Sequence, residues 1–184
     1  MDNIAKAIVN YEKALVLNPA NGDIRFNLEL AQSKTVDKVT PMNEVFLVTW
    51  MKNLTNLMSE KGWAKLGIIS FILMLLMLAL YFFGKKISMK KVGFISAICL
   101  LFICILANFF ASSQKDKAQS HGSAIIMTPS ITVKSTPNEG GTDLFILHEG
   151  RKVNIKDNTM REWKEIQLED GNAGWVPASA IEII

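Results

Sequence analysis

Two stretches without a charged residue, Leu66 to Phe83 (18 residues) and Val92 to Gln114 (23 residues), stand on either side of the segment GKKISMKK. As helices they reach roughly 27 Å and 34 Å, against a hydrocarbon core of about 30 Å. A core helix of a globular domain at this length carries a polar stripe, and neither stretch has one. The overall content of 49% hydrophobic residues therefore reflects apolar blocks rather than an even distribution. The pattern predicts two membrane helices over 64–83 and 92–112, joined by a loop over 84–91. Trp63, Tyr81 and the Phe109-Phe110 pair fall where interfacial aromatic belts lie.

A connection this short makes a hairpin whose outer ends share one side. The Lys/Arg bias of short loops sets orientation, and Lys85, Lys86, Lys90 and Lys91 outweigh Lys61 with Lys65 at one outer end and Lys115 with Lys117 at the other. The loop is therefore expected in the cytoplasm and both flanking regions in the periplasm, giving a two-pass protein of the bacterial cytoplasmic membrane. The formal net charge is +3, and these four lysines exceed it, so the rest of the chain is slightly acidic. That balance argues against nucleic acid as a partner.

The only cysteines, Cys99 and Cys104, both lie in the second apolar stretch. Five residues apart on a helix, they are separated by about 140° and cannot bridge to each other. Small apolar packing roles are expected for them.

The N-terminal segment AIVNYEKALVLNP places Ala7, Tyr11, Ala14 and Pro19 at the spacing A-x3-Y-x2-A-x4-P. This resembles the second helix and closing proline of a tetratricopeptide repeat, where small residues admit a neighbouring helix and an aromatic fills the groove. Asn21 and Gly22 make a turn, and Asp23 to about Lys34 reads as another helix, with Ile24, Leu28 and Ala31 on one face. With Asn27 and Leu28 included among the packing residues, about one and a half repeats span residues 1–40. Because repeats do not bury their faces alone, and because Met1 to Asn10 carries no export signal, an upstream segment with further repeats and a signal peptide is expected. Residues 41–63 then show Met42, Val45, Phe46, Trp50, Leu54, Leu57 and Met58 at three- and four-residue intervals. This predicts an amphipathic helix, lying in the membrane interface or capping the repeats.

After a polar linker over 113–124, in which His121 is solvated, the periodicity changes. Short strands are expected at 125–127, 131–134, 144–147, 152–156, 162–168, 174–176 and 181–184, punctuated by Pro, Gly, Asn and Asp. The segments ITVKSTP, HEGRKVNI, the W-x2-I from Trp163, the Asp170-Gly171 turn and GWVP resemble a bacterial SH3-like barrel over 125–184. Trp163 and Trp175 would line a ligand groove there, or pack the small core or its rim.

The fold class expected is thus a multi-domain membrane protein: an α-helical tetratricopeptide remnant, a two-helix transmembrane hairpin and a C-terminal all-β SH3-like barrel. This order, together with NLELAQSKTVDKV at 27–39, resembles the BatE-type proteins of the Bacteroides aerotolerance (Bat) operons. The resemblance implies a membrane-anchored periplasmic scaffold beside von Willebrand A-domain membrane proteins and, indirectly, a MoxR-type ATPase, linked to oxidative or envelope stress. A cell-wall sensor binding peptidoglycan through the barrel is the alternative.

Catalysis finds no support in the residues. The chain has no Gly-rich phosphate loop, no Ser or Cys in a motif with histidine, and two histidines in all, so no enzyme activity, metal site or cofactor is expected. The paired carboxylates Glu169 and Asp170 sit in a turn, where solvation explains them.

Overall fold

A computed structural model describes residues 4–37, 46–119 and 122–184. The chain divides into two compact units, one formed by Met1–Trp50 with Lys117–Ile184 and the other by Met51–Asp116.

The first unit opens with α1 (Ile4–Leu17) and α2 (Gly22–Ser33). Asn21 separates them because its side-chain oxygen accepts the Ile24 N–H at 3.1 Å, satisfying a free donor of the first turn of α2. Pro19 is buried in the connection, and its carbonyl accepts a hydrogen bond from Arg25 at 2.8 Å. Ala7, Tyr11 and Ala14 are half-buried along α1, Leu28 is buried in α2, and Asn27 is exposed.

Seven strands follow: β1 (Ser123–Ile126), β2 (Ser130–Lys134), β3 (Asp143–His148), β4 (Lys152–Asp157), β5 (Trp163–Gln167), β6 (Ala173–Pro177) and β7 (Ile181–Ile183). They form one antiparallel sheet in the order β3-β2-β6-β5-β4-β1-β7, with a short 3-10 turn at Ala178–Ala180 before β7. Ala124, Ile126, Val133, Leu147, Val153, Ile166 and Val176 build a single core, with Phe145 from one edge strand and Ile181 and Ile183 from the other packed on it. Two edge strands can reach one core only if the sheet rolls around it.

Strand β1 is buried on both faces. Ala124 and Ile126 point into the sheet core, whereas Ile125 joins Ala5, Ile8, Val9 and Leu28 in a second cluster with Tyr11, Ala31, Met127 and Ile184 around it. The helical pair therefore packs one apolar face against the sheet. Gly150, between β3 and β4, permits the approach: its φ is +83°, and a Cβ there would fall 2.6 Å from Thr35 Cγ2 and 3.0 Å from Ile8 Cδ1.

The second unit is a helical hairpin. α3 (Phe46–Thr55) crosses into it, and α4 (Glu60–Phe83) and α5 (Ile87–Gln119) run antiparallel. Trp63 packs against Phe110 with ring centroids 4.8 Å apart and the planes tilted by 49°, Gly67 faces Ala107, and Tyr81 meets Phe94 at 5.6 Å. At Gly93 a Cβ would lie 2.8 Å from the Met77 carbonyl, so glycine there sets how closely the helices approach. Both helices are long and apolar enough to cross a membrane, with mean hydropathy 2.7 and 2.6, and only 17% of each apolar window is buried. That exposure is the reverse of a soluble core helix.

Several boundaries differ from those expected. The amphipathic segment 41–63 is not one helix: α3 ends at Thr55, and Ser59 caps a new helix by accepting the Gly62 N–H at 3.3 Å. Residues 41–45 lie outside the described residues, as does His121. The connection over 84–91 narrows to Gly84–Lys86, because Ile87 already begins α5, so Lys85 and Lys86 sit in the turn and Lys90 and Lys91 on the helix, all four exposed. The linker 113–124 is helical as far as Gln119, since SQKDKAQ contains no glycine or proline to stop α5. Trp63 and Phe110 turn inward onto each other rather than outward, while Phe109 is exposed.

Candidate ligand-binding site

The β5–β6 register decides where the two tryptophans point. Trp163 pairs with Pro177, Glu165 with Trp175, and Ile166 with Gly174. Ile166 and Val176 are fully buried in the core, so the alternate positions Trp163 and Trp175 share the outer face as diagonal neighbours. Both are half-buried there, and neither belongs to the core. Across the strands Trp175 is flanked by Lys134 and Glu165.

Trp163 lines an open cleft of about 670 Å³ together with Pro137, Asn138, Glu139, Met160, Arg161 and Glu162. Trp175 does not line it. The walls are the β2–β3 and β4–β5 loops, and hydrogen bonds inside each loop order them. In the first, Ser135 N–H donates to the Thr142 carbonyl at 3.0 Å, Thr142 N–H donates to Ser135 Oγ at 3.0 Å, and Asn138 N–H donates to the Thr136 carbonyl at 2.8 Å. In the second, Thr159 N–H donates to Asp157 Oδ1 at 2.8 Å, and Lys164 Nζ donates to the carbonyls of Asn158, at 3.1 Å, and Met160. The Thr159 backbone N–H, then its side chain, then the Lys164 ammonium hold the Asp157 carboxyl below the usual carboxylate range.

The lining chemistry is mixed. Trp163, Pro137 and the exposed Met160 offer apolar contact, while Glu139, Glu162 and Arg161 supply charges that fix orientation. Such a surface suits an extended chain carrying an apolar side chain and a basic group.

A second set of residues ties the helical pair to the sheet. Lys152 Nζ donates to Glu12 Oε2 at 2.7 Å, and Lys13 Nζ donates to Glu182 Oε1 at 2.7 Å. Asp37, just after α2, receives the His148 backbone N–H on one oxygen at 2.8 Å and meets His148 Nδ1 with the other at 2.8 Å. No spacing in the sequence signals these partners, which lie more than a hundred residues apart. Cys99 and Cys104 are both free thiols.

Compared with known proteins, the chain matches no protein-family model and no curated protein sequence.

Proposed function

We propose that this chain is a non-enzymatic adaptor, held in a bacterial cytoplasmic membrane by α4 and α5, that captures extended polypeptide in the Trp163 cleft. The cleft carries the reading: its apolar and charged lining residues stand on loops already ordered by their own hydrogen bonds, so little entropy is lost on binding. Four exposed lysines at the tight end of the hairpin support a cytoplasmic turn, with the helical pair and the sheet outside. The tetratricopeptide-like spacing of α1, the SH3-like strand order and the resemblance to BatE-type proteins support a scaffold in a Bat/MoxR-type complex responding to oxidative or envelope stress. In this scaffold the helical pair and the sheet act as one body, because they share a buried cluster.

The test uses the full chain in spheroplasts. Protease added outside should remove both flanking regions and spare the hairpin. A photo-crosslinker at Met160 should then join the protein to a membrane polypeptide, and Trp163→Ala should abolish that product. Co-sedimentation with purified cell-wall sacculi that is lost in Trp163→Ala, without a polypeptide crosslink, would replace the adaptor with a cell-wall sensor. Protection of the sheet from external protease would overturn the orientation.

A further inference from the structure

At the open end of the hairpin a polar side chain is buried where the sequence offers no reason for one. Gln114, the last residue of the second apolar stretch, is only 6% exposed. Its side-chain nitrogen lies 2.8 Å from the Thr55 carbonyl, 3.3 Å from the Met58 carbonyl and 3.3 Å from Asn56 Oδ1. Trp63 Nε1 donates to the same Thr55 carbonyl at 2.9 Å. The last carbonyls of a helix have no partner within it, and here two buried side chains from α4 and α5 satisfy that of Thr55. The end of α3 is thereby fastened to the mouth of the hairpin, with Met51 and Leu54 packed beside Trp63 and Phe110.

The apolar arc of α3 does not stop at those two residues. Phe46, Leu47 and Trp50 continue it at helical spacing from Leu54 and Met51, and they are 82%, 63% and 50% exposed. Thr49 and Lys52 occupy the opposite arc together with Val48, and Asn53 borders Phe46. An exposed arc of Phe, Leu and Trp with Thr49 and Lys52 on the far side, on a helix fixed to the end of two lipid-facing helices, matches a helix lying in the plane of the headgroup boundary. Lys61 and Lys65, exposed on the first turns of α4, add positive charge at the open end of the hairpin, suited to anionic headgroups.

We propose that α3 is a lipid-docking shelf on the outer surface of the bilayer, and that Gln114 is the positioning residue that clamps it there. The inference rests on the two-span reading of α4 and α5, and the same experiment separates the two. The full chain is reconstituted in vesicles of phosphatidylethanolamine and phosphatidylglycerol in equal parts. A nitroxide is placed on Cys99 in a Cys104→Ala background, or at Leu47→Cys in a Cys99→Ala, Cys104→Ala background. Collision rates with oxygen and with a water-soluble nickel chelate are then measured.

The Cys99 label should collide with oxygen and be shielded from the chelate, and the Leu47 label should do likewise at shallower depth. Gln114→Glu, which keeps the shape but replaces the donor with a carboxylate, should raise chelate collisions at Leu47 several-fold while leaving the Cys99 label unchanged. Trp63→Phe should shift Leu47 in the same direction by less. A chelate-exposed Leu47 beside a lipid-embedded Cys99 overturns the shelf and leaves the two spans standing, whereas a chelate-exposed Cys99 overturns both. A Leu47 label shielded from both quenchers means protein, not lipid, covers α3. A Leu47 depth unmoved by Gln114→Glu removes the clamp.

Discussion

Glu12 on α1 and Lys152 on β4 form an ion pair at 2.7 Å in which the carboxylate side chain is 11% exposed and the lysine 37%. The asymmetry sets unequal consequences for losing each partner. Without Lys152 a nearly buried carboxylate has lost its counter-charge, whereas without Glu12 the ammonium still reaches water. Lys152→Met is therefore expected to destabilise the first unit by about 1–3 kcal/mol and Glu12→Gln by less than about 1 kcal/mol. The double variant Glu12→Leu, Lys152→Met should recover most of the larger loss. Urea midpoints of the full chain in mild detergent, followed by tryptophan fluorescence, measure all three.

Gly150 faces two separate demands, and they can be told apart. Its φ of +83° disfavours any side chain, and the Thr35 methyl stands 2.6 Å from where a Cβ would go. Gly150→Ala should cost about 1–2 kcal/mol for the backbone and about 1–3 kcal/mol for the contact. Adding Thr35→Ser, which deletes the methyl and keeps the hydroxyl that donates to the Gln32 carbonyl at 2.7 Å, should relieve the Thr35 contact and leave the backbone cost and the looser approach to Ile8 Cδ1 at 3.0 Å. Denaturation midpoints of the two variants separate the shares, and full rescue by Thr35→Ser would show that the backbone at Gly150 is not strained.

The Asp157 carboxyl is held below its ordinary value by the Thr159 backbone N–H, the Thr159 side chain and Lys164. A depressed carboxylate contributes order that is complete above the unfolded pKa and is lost as pH falls through the folded one. The β4–β5 wall of the cleft should thus stay ordered through the mildly acidic range and loosen only below the usual Asp titration. Lys164→Ala should move that midpoint upward. The Thr159 amide chemical shift, followed against pH, reports both, and a midpoint at the ordinary value would remove Asp157 from the account of loop order.

How much of this could be read from the chain differs by element. The seven strands were legible because Pro, Gly, Asn and Asp punctuate them, and the two apolar helices because charge vanishes for longer than a core helix allows. The turn between those helices was overestimated, since lysines mark loops by composition while Lys90 and Lys91 are as compatible with a helical turn. The docking of α1 and α2 on the sheet left one trace, the run Ala124-Ile125-Ile126, in which the expected alternation is replaced by apolar residues on both faces. Asp37 with His148, and Gln114 with Thr55, left none, because partners 111 and 59 residues apart create no local pattern.

The two tryptophans of the outer face should behave differently, although the sequence gives no reason to rank them. Trp163 lines the cleft, whereas Trp175 lies outside it between Lys134 and Glu165. A half-buried indole at the centre of a binding site is worth roughly 2 kcal/mol, or about thirtyfold in Kd. Trp163→Ala is therefore expected to weaken capture of a polypeptide ligand by that factor, and Trp175→Ala to leave it within about threefold, a change of under about 0.7 kcal/mol. Each variant keeps the core residues Ile166 and Val176, which point the other way, so thermal unfolding should move little in either. Titration of the crosslinked partner's own peptide segments against the full chain checks the ranking, and an equal loss from both variants would place the ligand across the whole outer face of β5 and β6.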